Sequence, residues 1–314
     1  MPHPSVATFG AVRGHERVRE TLRAAVAQQR LPHALLFAGP DGVGKRALAL
    51  ALAARLQCTA GGDDACGSCA ACRQIAAGSH PDLQLVGVAP GKKEIGVERA
   101  REVKRFTQMQ PLAGKVKIAI IDDAHMLTVA AQNALLKTLE EPPDRSVLIL
   151  IANNPDALLP TVRSRCQRLQ FSPLPADTVA SIVAAQGVDP AAARELAALA
   201  DGSPGRALAL SGSLAGERRA QLLQALAALG TARYPALMQL ATDLGRPESD
   251  LPVKLDLLLS QYRDAAVQAV ENAQTAREAL RGADLVHDAR EALRRGNPNR
   301  QLLLEALLLR LARA

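Results

Sequence analysis

Residues 34–57 read ALLFAGPDGVGKRALALALAARLQ. The first five are apolar throughout, the next seven hold three glycines, and the remainder is rich in Ala, Leu and Arg. An apolar run of this length ending in Gly-Pro predicts a short buried strand, and the Ala/Leu/Arg tract predicts a helix over 45–57. Between them, Gly39 to Lys45 fits G-x-x-x-x-G-K, with Gly39, Gly42 and Gly44 freeing the backbone and Lys45 closing the motif. Backbone N–H groups in such a loop point at phosphate oxygens, and the following helix N-terminus adds a favourable dipole. Lys45 is placed to reach the β- and γ-phosphates. The next residue is Arg46, where a Ser or Thr normally holds Mg²⁺.

Outward from this unit the pattern continues as strand, helix, strand. Residues 15–30 predict an amphipathic helix on Val18, Leu22, Ala25 and Val26. Strands are expected at 83–88, at Ile118–Ile121, at 146–154 and, briefly, within CQRLQFSPL. Helices are expected at 95–109, where Arg99, Arg101, Lys104 and Arg105 lie, and at 128–141, closed by Pro142-Pro143. Strands that are apolar throughout and alternate with helices predict an α/β fold, a parallel sheet covered on both faces. Beyond about residue 173 the strand signals stop. Short helices are expected over 176–211 and longer ones to the C-terminus, with Gly230, Gly245-Arg246-Pro247 and Gly296-Asn297-Pro298 at helix ends. The last, NRQLLLEALLLRLARA, is apolar over a wide face and must pack against other helices or a partner.

Composition narrows the function classes. The chain has 314 residues, 48% hydrophobic and 22% charged, as a globular protein of two or three domains would. Aromatics are 2%, with no Trp, which argues against reading single strands by base stacking and against a β-sandwich. A net charge of +7 permits contact with phosphates or an acidic partner and specifies neither. No apolar run is long enough for a transmembrane helix, and MPHPSVATFGAVRGHE lacks the apolar core of a signal peptide. A cytoplasmic chain with reduced thiols is expected. Four of the five cysteines then read as a metal site within a Gly-, Cys- and Asp-rich insertion at 58–82. Cys58, Cys66, Cys69 and Cys72 give C-x₇-C-x₂-C-x₂-C, which can close a tetrahedral thiolate shell around Zn²⁺. An iron–sulfur cluster can use similar ligands. A closed four-Cys site is structural. His80 reads as a turn residue or a group behind the ligands, and Cys166 and His125 as structural.

IAIIDDAH places Asp122 and Asp123 at the end of a buried strand, where one acid can support Mg²⁺ and the other a water. With NALLKTLEEPP (Asn133–Pro143), TVRSRC (Thr161–Cys166) and GSPGRAL (Gly202–Leu208), the chain resembles the clamp-loader branch of the AAA+ ATPases, specifically bacterial DNA polymerase III clamp-loader subunits. The resemblance covers about the first 210 residues with specific motifs. It implies an AAA+ domain with its zinc module over 1–172 (cysteines at 58–72), a helical lid over 173–211 and a helical collar over 212–314. It also implies that Arg165, in Ser164-Arg165-Cys166, is an arginine finger reaching a neighbour's ATP, with Arg163 the residue most easily confused with it. Asn153 or Asn154 resembles the first sensor, and Arg206 the second. Zinc is favoured over an iron–sulfur cluster. The implied partners are gamma/tau and delta subunits and, through the assembly, the sliding clamp and primed DNA at the replisome.

Two departures weaken this chain's own site. Gamma/tau resembles an intact ATPase, with Lys-Thr in the loop and Asp-Glu on the strand. Here the pairs are Lys45-Arg46 and Asp122-Asp123, and Asp is one methylene shorter than Glu. The better match is the branch that has lost its own catalysis: a stator with weak or absent ATPase, in which retained Lys45 still permits ATP binding. A gamma-like active ATPase is the alternative. A zinc-dependent DNA-binding module is the remote one, since Asp63 and Asp64 make the cysteine segment too acidic for DNA readout.

Overall fold

The structure is a computed structural model that describes residues 8–213, 234–246, 251–270, 272–295 and 298–312. The helix ends read at Gly230, Pro247, Gly296 and Asn297 lie outside the described residues, as do parts of the expected collar. The chain divides into two compact units, Met1–Ala197 with Asp201–Gly205, and Ala198–Ala200 with Arg206–Ala314.

The first unit is built on five strands: β1 (Ala34–Ala38), β2 (Leu83–Val86), β3 (Lys117–Ile121), β4 (Ser146–Ala152) and β5 (Gln167–Gln170). They form one sheet in the order β2-β3-β4-β1-β5, every pair parallel. The expected α/β architecture is therefore present. Side chains alternate across the sheet as the period of two demands. Leu35, Phe37, Ile118, Ile120, Ile149 and Ile151 face one core, with Leu22 of α1 (Glu16–Ala27) and Leu48 and Leu52 of α2 (Lys45–Gln57). Leu36, Ala119, Ile121, Leu148 and Leu150 face the other, with Val103 of α4 (Val97–Gln108) and Leu135 and Leu139 of α5 (Val129–Glu140). Because β1 and β3 are buried on both faces, their sequences show no polar alternation.

The 58–82 insertion is not all loop. Residues Ala70–Ala76 form a helix, α3, starting directly after Cys69, because AACRQIA is Ala-rich and free of glycine. A short helix α6 (Pro160–Arg163) precedes β5, and α7 (Ala176–Ala184) and α8 (Pro190–Leu199) follow it. Helix α9 spans Pro204–Ser213.

The second unit is helical where described: α10 (Tyr234–Leu244), α11 (Leu251–Gln268), α12 (Ala273–Arg295) and α13 (Arg300–Leu311). The buried Lys254 ammonium donates to the carbonyls of Leu244 at 3.0 Å and Arg246 at 2.7 Å, so a cation closes the C-terminal end of α10. Asn299 caps α13, its side-chain oxygen accepting from Leu302 N at 3.2 Å.

One buried ion pair in the first unit has no counterpart in the sequence reading. Lys117 opens β3 and Asp82 precedes β2; both are almost wholly buried, with Nζ 2.8 Å from Oδ1. The Asp82 carboxylate also accepts from Leu112 N (2.8 Å), Ala113 N (2.8 Å) and Gly114 N (2.6 Å). Lys117 lies over the Phe106 ring, 4.6 Å from its centroid. Burial pushes the Asp82 carboxyl up, but Lys117 and the three amides outweigh it and hold the group well below the usual carboxylate range. The adjacent His80 Nδ1 accepts from Asp82 N at 3.1 Å and is a turn residue. Removing one partner leaves an uncompensated buried charge, so Lys117→Met is expected to cost about 3–5 kcal/mol in urea denaturation. Since the folded carboxyl is depressed, its stabilisation is complete above the unfolded value of about 3.9 and is lost as pH falls through the lower folded one. Asp82→Asn should therefore flatten the acid limb of stability against pH.

Candidate functional site

The phosphate loop runs from the end of β1 to the start of α2. Gly39 sits at φ 153°, and a Cβ there would fall 2.2 Å from the backbone oxygen of Phe171, so only glycine lets the strand turn at this point. At the other end Gly42 touches the start of α9: Gly205 N donates to Gly42 O at 2.9 Å, and a Cβ on Gly205 would come within 2.9 Å of Gly42 Cα. The second glycine of GSPGRAL is thus a packing requirement against the loop.

Beside this loop lies a cleft of about 240 Å³ lined by Asp41, Gly42, Gly44, Lys45, Arg46, Asp122, Asp123, Ile151 and Asn153, among others. The sheet order explains the convergence. β1, β3 and β4 are neighbours and parallel, so their C-terminal ends deliver the loop, the acids and Asn153 to one edge. The buried Lys45 ammonium turns back onto its own loop, donating to Gly39 O at 2.8 Å and to Pro40 O. Burial lowers its pKa, and Asp41, Asp122 and Asp123 pull it back up. Asp122 N donates to Val86 O at 2.7 Å, fixing the strand end. Burial first, then Asp123, raises the Asp122 carboxyl, while the Arg46 guanidinium pulls it down. Arg46 Nη1 lies 3.5 Å from Asp122 Oδ2. A guanidinium thus faces the acid at the position where the loop hydroxyl would help hold a metal. Asp123 adopts the left-handed conformation at φ 53°.

The two asparagines separate. Asn154 accepts from Asp156 N at 3.2 Å and caps the turn at 155–157, whereas Asn153 lines the cleft. Arg206 Nη2 donates to Asp256 O at 2.7 Å, inside the second unit, where Arg290 also meets the Asp256 carboxylate at 3.0 Å. Arg165 is not among the residues lining the cleft. It follows α6, donates to Thr161 O at 2.9 Å and pairs with Glu140 of α5 at 2.7 Å. Arg163 pairs instead with Asp156. The turn leading to α6 is held by buried Gln132 of α5, whose Oε1 accepts from Leu159 N at 2.6 Å. The sequence reading passed over that glutamine because its amide carries no motif. Burial pushes the Cys166 thiol up to about 12, consistent with a structural thiol.

The four other cysteines come together, their sulfurs all within 4.8 Å of one another. A tetrahedral thiolate site with metal–sulfur bonds of about 2.3 Å places its sulfurs about 3.8 Å apart, so the set fits a single ion. Cys66 N donates to Cys58 Sγ at 3.4 Å and Cys69 N to Cys66 Sγ at 3.3 Å, contacts that favour thiolates. Backbone hydrogen bonding, led by Thr59, holds the Cys69 thiol down to about 5, while burial pushes that of Cys72 up to about 12.

A parallel sheet with a glycine loop, paired acids and a polar strand end around one cleft is the architecture of a phosphate-loop α/β domain. Residues 14–175 match the family model described as DNA polymerase III, delta subunit. The chain is 36% identical to the DNA polymerase III subunit delta' of Pseudomonas aeruginosa, over 89% of this chain and 92% of that one. It is 40% identical to the Escherichia coli subunit delta' over 66% of this chain and 63% of the relative. Against the tau subunit of Bacillus subtilis it is 40% identical, over 52% of this chain and 29% of the relative. The chain belongs to the delta' family of DNA polymerase III clamp-loader subunits.

If the cysteines hold one ion, the purified chain should carry one equivalent of metal by elemental analysis. Cys72→Ser should lose it and lower the melting temperature, as should a strong chelator.

Proposed function

We propose that this delta'-family subunit serves the DNA polymerase III clamp loader by completing a neighbour's ATP site rather than by turning over ATP itself. The observation that carries the reading is Arg46 facing Asp122 across 3.5 Å in the chain's own cleft. A fixed cation there competes with Mg²⁺ for the carboxylate, and no loop hydroxyl follows Lys45 to ligate the metal. Asp123, one methylene shorter than Glu, further shortens the reach toward a water. Lys45, the loop glycines and Asn153 would still serve ATP bound without turnover, the glycine amides and ammonium holding its phosphates. Arg206 is the candidate second sensor.

Arg165 is the residue offered in trans. It is about one-third exposed and held by a single carboxylate, so exchanging Glu140 for a phosphoryl group costs it little desolvation. A guanidinium so placed stabilises charge on the phosphoryl oxygens, an effect of about 10³–10⁵ in rate at the site it serves. In this reading the AAA+ part spans 1–172, the lid 173–211 and the collar 212–314. The cysteine module at 58–72 is structural, and its all-thiolate donor set suits Zn²⁺. The partners are gamma/tau and delta subunits, and the assembly loads the sliding clamp onto primed DNA in the cytoplasm. No described helix is long and apolar enough to cross a membrane.

A second reading, an active gamma-like ATPase, draws on Lys45, Asp122 and Asn153 lining one cleft. Clamp- and DNA-stimulated ATP turnover of the reconstituted loader separates the two. Arg165→Ala is expected to depress turnover strongly and Lys45→Ala to leave it nearly unchanged. The opposite pattern would overturn the stator and establish the active ATPase.

A further inference from the structure

The cysteine module and the phosphate loop are joined by chain on one side: α2 begins at Lys45 and ends at Gln57, one residue before Cys58. A second connection runs through the segment before α1. Asp64, within the cysteine loop, accepts from Phe9 N at 2.9 Å and from Gly10 N at 2.8 Å, one oxygen to each. The carbonyls of the same segment are taken from the other side, Arg19 Nη1 of α1 donating to Phe9 O at 3.0 Å and Val12 O at 2.9 Å. Arg23 lies 3.6 Å from the Asp64 carboxylate and over the Phe9 ring at 5.6 Å. Phe9 is fully buried in the core that includes Cys58, Cys72 and Ala65.

Beyond this clasp the chain turns through two residues with positive φ, Gly14 at 75° and His15 at 56°. The turn delivers the imidazole to the phosphate loop. His15 Nε2 lies 2.8 Å from Val43 O, and its ring rests against Phe171, 4.8 Å between centroids. A non-glycine residue in the left-handed region carries strain and persists only where its surroundings hold it there. The surroundings here are the clasp on one side and the loop on the other.

We infer that the cysteine module is a metal-fastened clasp: by fixing Asp64 it draws residues 8–15 across to the phosphate loop and holds His15 against Val43. Asp64 and His15 are positioning residues in this scheme. The inference rests on the cysteines holding a metal, and metal content is measured separately from the clasp.

The test is hydrogen exchange of the full chain, read by mass spectrometry alongside elemental analysis. In Asp64→Ala the amides of Phe9 and Gly10 should exchange at least tenfold faster, and the peptide containing Val43 should lose protection, with one equivalent of metal retained. Arg19→Gln, remote from the cysteines, should loosen residues 8–13 in the same way and serves if Asp64→Ala does not fold. Chelation of the wild-type chain should deprotect 8–15 and the Val43 peptide ahead of the sheet strands. Unchanged exchange at 8–15 in the metal-loaded variants overturns the clasp. Absence of metal from the wild-type chain overturns the metal reading and leaves the Asp64 variant to decide the strap alone.

Discussion

Gly39 is the point on which the cleft depends. It follows β1 at a point where a Cβ would lie 2.2 Å from the backbone oxygen of Phe171, the residue that follows β5. This close approach lets β1 and β5 run parallel to their ends and leaves the next five residues, Pro40–Gly44, to curl over the N-terminus of α2. The same crowding recurs where Gly205 meets Gly42. With both contacts made, the loop is held at two places by backbone, and the Lys45 and His15 side chains hold its carbonyls besides.

Charge in the cleft is arranged against the usual chemistry. Five ionisable side chains share it, the acids Asp41, Asp122 and Asp123 and the cations Lys45 and Arg46. In an ATPase the acidic pair and a hydroxyl would be completed by Mg²⁺. A guanidinium over Asp122 supplies part of that positive charge from the protein itself, without an open coordination position. In the reading proposed above, nucleotide binding is kept while Arg46 and Asp123 stand where turnover needs other residues. Meanwhile Arg165 stands at a separate place on the same domain, on the far end of the α5–α6 connection that Gln132 and Glu140 organise. The cleft residues and Arg165 are carried by different elements, so the proposed loss of one and retention of the other are structurally independent.

Two aspartates, buried Asp82 and half-buried Asp64, set the loops around this core. Asp82 gathers three consecutive amides and one ammonium, which orders the chain entering β3. Asp64 gathers two amides from the segment before α1. Each ties the backbone amides of a separate segment to one carboxylate. Both aspartates lie within the 58–82 insertion, so that insertion does more than bring four cysteines together. It supplies the polar contacts that a short loop of glycines could not.

The sequence by itself determined the parallel α/β fold, because strands buried on both faces must be apolar throughout. It also determined the phosphate loop, whose glycines and lysine have fixed spacing, and the four-cysteine set, whose ligands are close along the chain. These are local signals. Tertiary structure alone decided that Lys117 at the head of an apolar strand is buried, since its partner Asp82 lies on a different strand connection. It decided that Asn153 rather than Asn154 lines the cleft, because Asn154 is spent capping the next turn. It decided that Arg206 meets Asp256 and that Asp64, legible only as a solvated acid, binds Phe9 and Gly10. Each of these joins residues distant in the chain, and no periodicity or motif encodes which distant partner a polar side chain will meet.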